Sequence, residues 1–143
     1  MTGLRYRRVV TGLTVAGLVP MLGGALFSHV SQVVEALALY SLAILTFLCG
    51  AWWATALVSR RHDDGARIAV LVLSNIMVLA LVSAMLWLSI NQAMLVFALA
   101  FPLLVAGERR FAVFGRQPPY YARLRLGVSM IAAVAHTWVA ATA

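Results

Sequence analysis

An unbroken apolar run from Tyr40 to Val58 constrains the fold of this chain more than any other feature. Its 19 residues include no charged side chain. About 20 residues of helix cross the hydrocarbon core of a bilayer, whereas a helix on the surface of a soluble protein has a polar face. The run therefore predicts a transmembrane helix. The small residues Thr46, Gly50 and Ala54 share one face of it, and we expect that face to pack closely against another helix.

Four further apolar runs follow the same pattern, and together they use up the chain. The five predicted spans are residues 9–27, 35–58, 68–88, 91–106 and 126–142. Only 10% of the 143 residues are charged, whereas a soluble domain uses about 25%. We expect one all-α transmembrane domain over residues 1–143, built as a bundle of five helices.

The first span follows a basic lead of three arginines, a pattern that secretory signal peptides share. Its 19 apolar residues exceed the length of a typical signal-peptide core, which favours an uncleaved span. Gly12 and Ala16 form a second pair of small residues suited to close helix contact. Pro20 is expected to kink the outer half of this helix.

The eleven basic residues are all arginine, and they alternate along the chain. Three precede the first span, three follow the second and five lie between the fourth and the last, while the remaining connections have none. Because cytoplasmic loops are enriched in Lys and Arg, the alternation predicts a cytoplasmic N-terminus and an external C-terminus in a bacterial inner membrane. These topology signals explain the net charge of +7, so we expect no nucleic-acid partner.

Residues 107–125 are predicted to form an amphipathic loop on the cytoplasmic surface of the membrane. Apolar residues alternate there with arginines, and tyrosines suit the headgroup region. The side chains expected to contact lipid headgroups are Arg109, Arg110, Arg116, Tyr120, Tyr121, Arg123 and Arg125.

His136 is the main ionisable candidate inside a span, and intramembrane ionisable groups often have functions. Ala132 and Ala140 lie on its face of the last helix, which can therefore approach a neighbouring helix closely. A hydrogen bond to that neighbour is the first interpretation, and a ligand contact or a proton relay is the alternative. Together with His29 it could hold a haem or a metal, but the two depths differ, so we predict no metal site.

Asn75 in the third span has a predicted depth close to that of Trp52 and Trp53 in the second. Interhelical hydrogen bonding explains the amide, and anchoring at the membrane interface explains the indoles. The alternative is that the three side chains contact a quinone or a lipid. Cys49 is the only cysteine, and we expect a buried thiol without a reactive role.

No phosphate-binding loop, catalytic triad or metal-binding motif is present in the sequence, so we predict a protein that is not an enzyme. We expect a small accessory or assembly subunit that packs against a larger membrane complex, of respiratory or photosynthetic electron transfer. Its expected partners are membrane lipids and other integral membrane proteins, in a homo- or hetero-oligomer. A quinone- or lipid-binding protein is the alternative, and a channel or transporter protomer is the third possibility.

Three motifs support a resemblance to a known family. The second span follows the pattern Y-x-x-x-I-L-S-F-L-G-G-x-x-W-G at Tyr40, Ile44, Leu45, Phe47, Leu48, Gly50 and Trp53. In the third span, Ser74 matches the serine of an S-x-x-P pattern. Before the last span, the pattern P-x-W-Y-x-x-L-R is matched at Pro118, Tyr121, Leu124 and Arg125.

These motifs resemble a domain-of-unknown-function family of small five-span membrane proteins, found in proteobacteria and with mitochondrial transmembrane relatives. The chain departs from the family in the second span, where Thr46 replaces the serine and Cys49 and Ala54 replace two glycines. It also departs at Met77, where proline is usual, and at Tyr120, where tryptophan is usual. The loop before the last span lacks the family's aspartate, for which Glu108 is at best a distant substitute. The resemblance implies the five-span fold and membrane residence, and it implies no settled activity.

Overall fold

The structure is a computed structural model that describes residues 2–59, 64–115 and 117–143, with side chains from residue 4 onward. Within these ranges the chain forms helices joined by short connections. The α-helices are α1 (Thr2–Ala16), α2 (Leu18–Leu26), α3 (Ser31–Val58), α4 (Asp64–Trp87), α5 (Ile90–Arg110) and α6 (Pro119–Thr142). A short 3-10 helix, Ala112–Phe114, lies between α5 and α6.

Five helical segments are long and apolar enough to cross a membrane, which confirms the prediction of an all-α, five-span chain. They are Leu4–Leu26, Ser31–Val58, Asp64–Trp87, Ile90–Arg110 and Pro119–Thr142. Helix α5 is the most buried of them and contacts α3, α4 and α6, so it occupies the centre of the bundle. The first span is the least buried, and its α2 half packs on α3 and α6.

A single residue, Gly17, separates α1 from α2 within the first span. Pro20 has no N–H to donate to the carbonyl of Ala16, and its ring crowds that carbonyl, so the helix is interrupted one turn before the proline. The hydroxyl of Tyr40 donates a hydrogen bond of 2.9 Å to the carbonyl of Gly17. The interruption is thereby tied to α3.

The fourth and fifth spans are longer than predicted, because the segment between them is largely helical. Helix α5 continues through Arg110, and α6 begins at Pro119. Proline is favoured in the first turn of a helix, and arginines in the last turn of α5 complement the helix dipole. The prediction of a surface loop over residues 107–125 is therefore wrong at both ends, and the connection spans only residues 111–118.

The described arginines lie at one end of the bundle, which we call the basic end. It comprises the first turns of α1, α4 and α6 and the last turns of α3 and α5. The guanidinium of Arg7 lies 4.8 Å from the ring centroid of Tyr120, which joins the start of α1 to the start of α6. At the opposite end, the hydroxyls of Ser28 and Thr142 are 2.9 Å apart. The arginine-containing segments, which alternate with the other connections along the sequence, thus come together at one end of the bundle.

Candidate functional site

A buried ion pair between Glu108 and Arg125 lies at the basic end. The two side chains are 8% and 9% exposed, and they join the last turn of α5 to the start of α6. The guanidinium of Arg125 donates two hydrogen bonds to the carboxylate of Glu108. Its Nη2 donates to Oε1, and its Nε donates to Oε2 over 3.3 Å. The indole N–H of Trp52 donates a further hydrogen bond of 3.1 Å to Oε1. One carboxylate therefore fastens three helices, and charge-assisted bonds of this kind are stronger than neutral ones.

The ring of Trp52 is packed tightly into the same region. Its centroid lies 5.2 Å from that of Phe114 in the 3-10 helix. A Cβ atom added at Gly107 would overlap the indole, so the close approach of α3 and α5 depends on this glycine. Gly107 and Glu108 are adjacent, and together they let the indole contact both the backbone and the carboxylate of α5.

The interface side chains predicted from the sequence divide into two groups. Arg109, Arg110 and Arg123 are exposed, and Tyr120 and Tyr121 are half-buried. Arg116 lies outside the described residues. The prediction that Arg125 contacts lipid headgroups is wrong, because its guanidinium is buried against Glu108. The spacing of arginines in the sequence does not reveal this contact. Glu108 lies 17 residues before Arg125, and it forms an ion pair with that arginine alone among the described ones predicted to contact lipid.

A second buried polar pair lies deeper in the bundle, between His136 of α6 and Ser41 of α3. Nδ1 of His136 is 2.7 Å from the carbonyl of Ala132, and Nε2 is 2.6 Å from the hydroxyl of Ser41. A carbonyl only accepts hydrogen bonds, so Nδ1 carries the proton of a neutral imidazole. Nε2 then accepts from Ser41. This is the interhelical hydrogen bond that the sequence favoured for His136.

The surroundings of His136 leave both ring nitrogens engaged. The imidazole is fully buried and packs against the rings of Phe97 and Phe101 of α5, with centroids 6.4 Å and 5.4 Å away. His29 is exposed, in the connection between α2 and α3. Among the described residues, no group of three or more His, Cys, Asp or Glu side chains is suited to bind a metal.

The structure does not assemble the predicted ligand contacts of Trp52, Trp53 and Asn75. Trp52 points into the bundle, whereas Trp53 is 45% exposed on the outer surface. Asn75 is also exposed, and its side-chain amide donates a hydrogen bond of 2.7 Å to the carbonyl of Leu71 on its own helix. The prediction of a shared quinone or lipid site is therefore wrong, because neighbouring residues on a helix point about 100° apart.

The small-residue faces of α1 and α3 point away from the bundle. On α3, Gly50 and Ala54 face outward, Thr46 is half-buried, and no atom lies within 4 Å of a Cβ added at Gly50. On α1, Gly12 and Ala16 are exposed as well. Within the described residues, the bundle itself therefore leaves these two small-residue faces without close helix contact.

Helix α3 instead packs through a neighbouring face, and α6 uses its alanines as expected. The buried seam of α3 includes Ser41, Leu45, Cys49, Trp52 and Ala56. On α6, Ala132 is fully buried and Ala140 packs against the core. In the described part of the chain, every buried side-chain nitrogen and oxygen has a hydrogen-bond partner.

A groove runs along the outside of the bundle between the first span, α3 and α6, and we call it the lateral groove. It has a volume of about 230 Å³, and its walls include Leu13, Met21, Leu48 and Val128. Tyr121 lies at its basic end and also borders a second recess of about 460 Å³, which we call the mouth. The mouth lies among α1, the last turn of α3, the 3-10 helix and the first turn of α6.

Two residues of these sites are not predicted from the sequence to form buried polar contacts. Glu108 falls in the predicted surface loop, because the apolar run before it ends at Ala106. Ser41 lies in an apolar run where a single hydroxyl carries little signal. The available clue was spacing on α3, since Ser41, Leu45 and Cys49 repeat every four residues and share one face.

The helices and their satisfied buried polar groups define a multi-pass membrane protein with an all-α fold. The chain belongs to the family described as "Protein of unknown function (DUF3429)", whose family model matches residues 6–141. No curated protein and no solved structure matches the chain.

Proposed function

We propose that this protein is a non-enzymatic accessory or assembly subunit that packs laterally against a larger complex in the bacterial inner membrane. The observation that carries the proposal is the outward position of two small-residue pairs, Gly12–Ala16 on α1 and Gly50–Ala54 on α3. In a bilayer, small residues four apart let two helices approach closely. The chain's own helices leave both pairs uncovered, so a helix of another chain can pack there.

The interior of the bundle supports a structural role over a catalytic one. Glu108, Arg125 and His136 each spend their hydrogen-bonding groups on neighbouring helices. Cys49 is buried, with 1% of its surface exposed, which does not suit a nucleophile. The buried polar chemistry thus holds the helices together, and the outer surface carries the features suited to recognition. The hosts we expect are electron-transfer complexes, respiratory or photosynthetic.

The basic end is proposed to face the cytoplasm. All described arginines lie there, and the positive-inside rule then directs the end that holds Ser28 and Thr142 outward. This orientation places the exposed Arg109, Arg110 and Arg123 next to the anionic inner leaflet.

The test is purification of the tagged protein from native membranes in a mild detergent, with mass spectrometry of every chain that is retained. Gly50→Leu adds bulk on an uncovered face, so we expect it to release a specific partner. Ala80→Leu is the matched control, because Ala80 is also exposed but lies on α4, away from both pairs. Thermal unfolding of both variants checks that the bundle is intact.

Three results would contradict this proposal. If the wild-type protein elutes as a monomer without any co-purifying chain, there is no complex for it to serve. If only a second copy of the chain is retained, the small-residue faces build a homo-oligomer in place of an accessory contact. Loss of the partner in both leucine variants would mean that the contact does not depend on close helix approach at Gly50.

A further inference from the structure

The lateral groove and its mouth are adjacent recesses that run from the basic end towards the middle of the bundle, and we call the two together the recess. Tyr121 borders both parts. On α1, Val10 lies at the mouth and Thr14 lies in the groove, one helical turn apart and joined by a hydrogen bond of 2.8 Å. The mouth is the wider of the two, and tyrosine and glutamine side chains are among its walls, whereas the walls of the groove are mainly apolar.

The apolar groove fits within one leaflet of a bilayer. From Leu13 to Met21, which both line the groove, the first span rises by about 12 Å at 1.5 Å per residue. Half of a hydrocarbon core about 30 Å thick is about 15 Å. An acyl chain that enters from the basic end can therefore follow the groove without leaving its leaflet.

The groove has a volume of about 230 Å³ and mainly apolar walls, which suit a hydrocarbon chain. Exposed Leu13 and Phe47 line its rim, so the groove opens sideways to the lipid and a chain can enter from the bilayer.

The charge around the mouth selects an anionic headgroup. Arg7 lies over the ring of Tyr120, and Tyr6, Gln117 and Tyr121 add polar groups to the walls. Of the described arginines, only Arg67 and Arg125 form ion pairs, with Asp64 and Glu108. The described arginines of α1 thus have no acidic partner, and an anionic phosphate would supply one.

We propose that this recess binds one anionic glycerophospholipid, with its phosphate at the mouth beside Arg7 and one acyl chain along the lateral groove. The small residues Gly12, Ala16, Gly50 and Ala54 do not line the recess, so lipid binding can be tested separately from the accessory contact. The bound lipid would fill the gap between the loosely packed first span and the rest of the bundle.

The test uses the delipidated protein in detergent and native mass spectrometry with phosphatidylglycerol or phosphatidylcholine as the probe. We expect tighter binding of phosphatidylglycerol. Arg7→Gln should weaken it by about fivefold, since one basic residue near a membrane surface contributes about 1 kcal/mol. Arg110→Gln removes the same charge at an exposed position of the basic end and should leave the affinity unchanged.

A second pair of variants tests the groove itself. Leu48→Trp fills the recess from its α3 wall and should reduce binding of both lipids. Leu39→Trp makes the same change on the outer face of α3, outside the groove, and should have no effect. Circular dichroism shows whether Leu48→Trp still folds, and Arg7→Gln alters only an exposed side chain.

Several outcomes would overturn the proposal. Equal affinity for the two lipids would remove the anionic selectivity. Equal losses in Arg7→Gln and Arg110→Gln would indicate general attraction to a basic surface without a specific site. Displacement of phosphatidylglycerol by a short-chain ubiquinone analogue at a lower concentration would assign the groove to a quinone.

Discussion

Glu108 and Arg125 form an ion pair that closes the basic end of the bundle between α5 and α6. Both side chains of the pair are buried, and the indole of Trp52 connects a third helix, α3, to the carboxylate of Glu108. It explains why α5 does not end with its apolar run, since one more helical turn brings Glu108 to the guanidinium. Residues that looked like a surface loop thereby become part of the helical core.

Replacing the carboxylate should destabilise the protein strongly. Glu108→Gln leaves the guanidinium of Arg125 buried without a counter-charge, and breaking a buried pair in this way costs about 3–5 kcal/mol. The measurement is the free energy of unfolding from a titration with sodium dodecyl sulfate in mixed micelles. Glu35→Gln is the control, because Glu35 is exposed near the opposite end and should change stability little.

The double variant separates a pairwise effect from general damage. In Glu108→Gln with Arg125→Met no buried charge remains, so we expect it to be more stable than Glu108→Gln alone. If the two substitutions are simply additive, the ion pair is not what holds α5 to α6.

The contact between Gly107 and Trp52 should tolerate no added methyl group. Gly107→Ala places a Cβ atom inside the indole, and overpacking of this kind costs about 1–3 kcal/mol. Gly50→Ala adds the same methyl group where no atom lies within 4 Å, so its unfolding free energy should not fall. Trp52→Phe should recover part of the loss when it is combined with Gly107→Ala. Equal stability of the two alanine variants would contradict the close packing of α3 on α5.

The hydrogen bond between Ser41 and His136 should stabilise the fold, because it gives the buried Nε2 of His136 a donor. Ser41→Ala leaves Nε2 of a buried imidazole without a donor, which costs about 1–3 kcal/mol. Ser83→Ala removes an exposed hydroxyl from α4 and should be neutral. Nitrogen NMR of the labelled ring should show a protonated Nδ1 and an unprotonated Nε2 in the wild-type protein. A protonated Nε2 would show that the assigned tautomer is wrong.

The number of helices could be predicted from the sequence because length and hydropathy determine what can cross a bilayer. The clustering of the arginines at one end followed for a similar reason, since the arginine-containing segments alternate with the apolar runs. The exact ends of the helices could not be predicted. Glu108 and the arginines around it have the composition of a polar loop, and only the ion pair with Arg125 explains why they are helical.

The face that each helix turns inward was much harder to predict. In a soluble protein, polarity separates the two sides of a helix, but lipid tails are as apolar as a helix core. On α3, the stripe through Gly50 and the stripe through Cys49 differ by one residue, and hydropathy does not distinguish them. The partners of Ser41 and Trp52 lie on α6 and α5, so only the assembled bundle shows which stripe is buried.

The proposed orientation can be tested with single cysteines on either end of the bundle. In a Cys49→Ala background, Gly115→Cys lies in the connection at the basic end and His29→Cys lies in the connection at the other end, and both positions are exposed. If the basic end faces the cytoplasm, a membrane-impermeant maleimide added to spheroplasts should label His29→Cys and spare Gly115→Cys. Permeabilised cells, in which both should react, control for the reactivity of each thiol. Labelling of Gly115→Cys in intact spheroplasts would reverse the orientation, and it would place the mouth of the lateral groove at the outer leaflet.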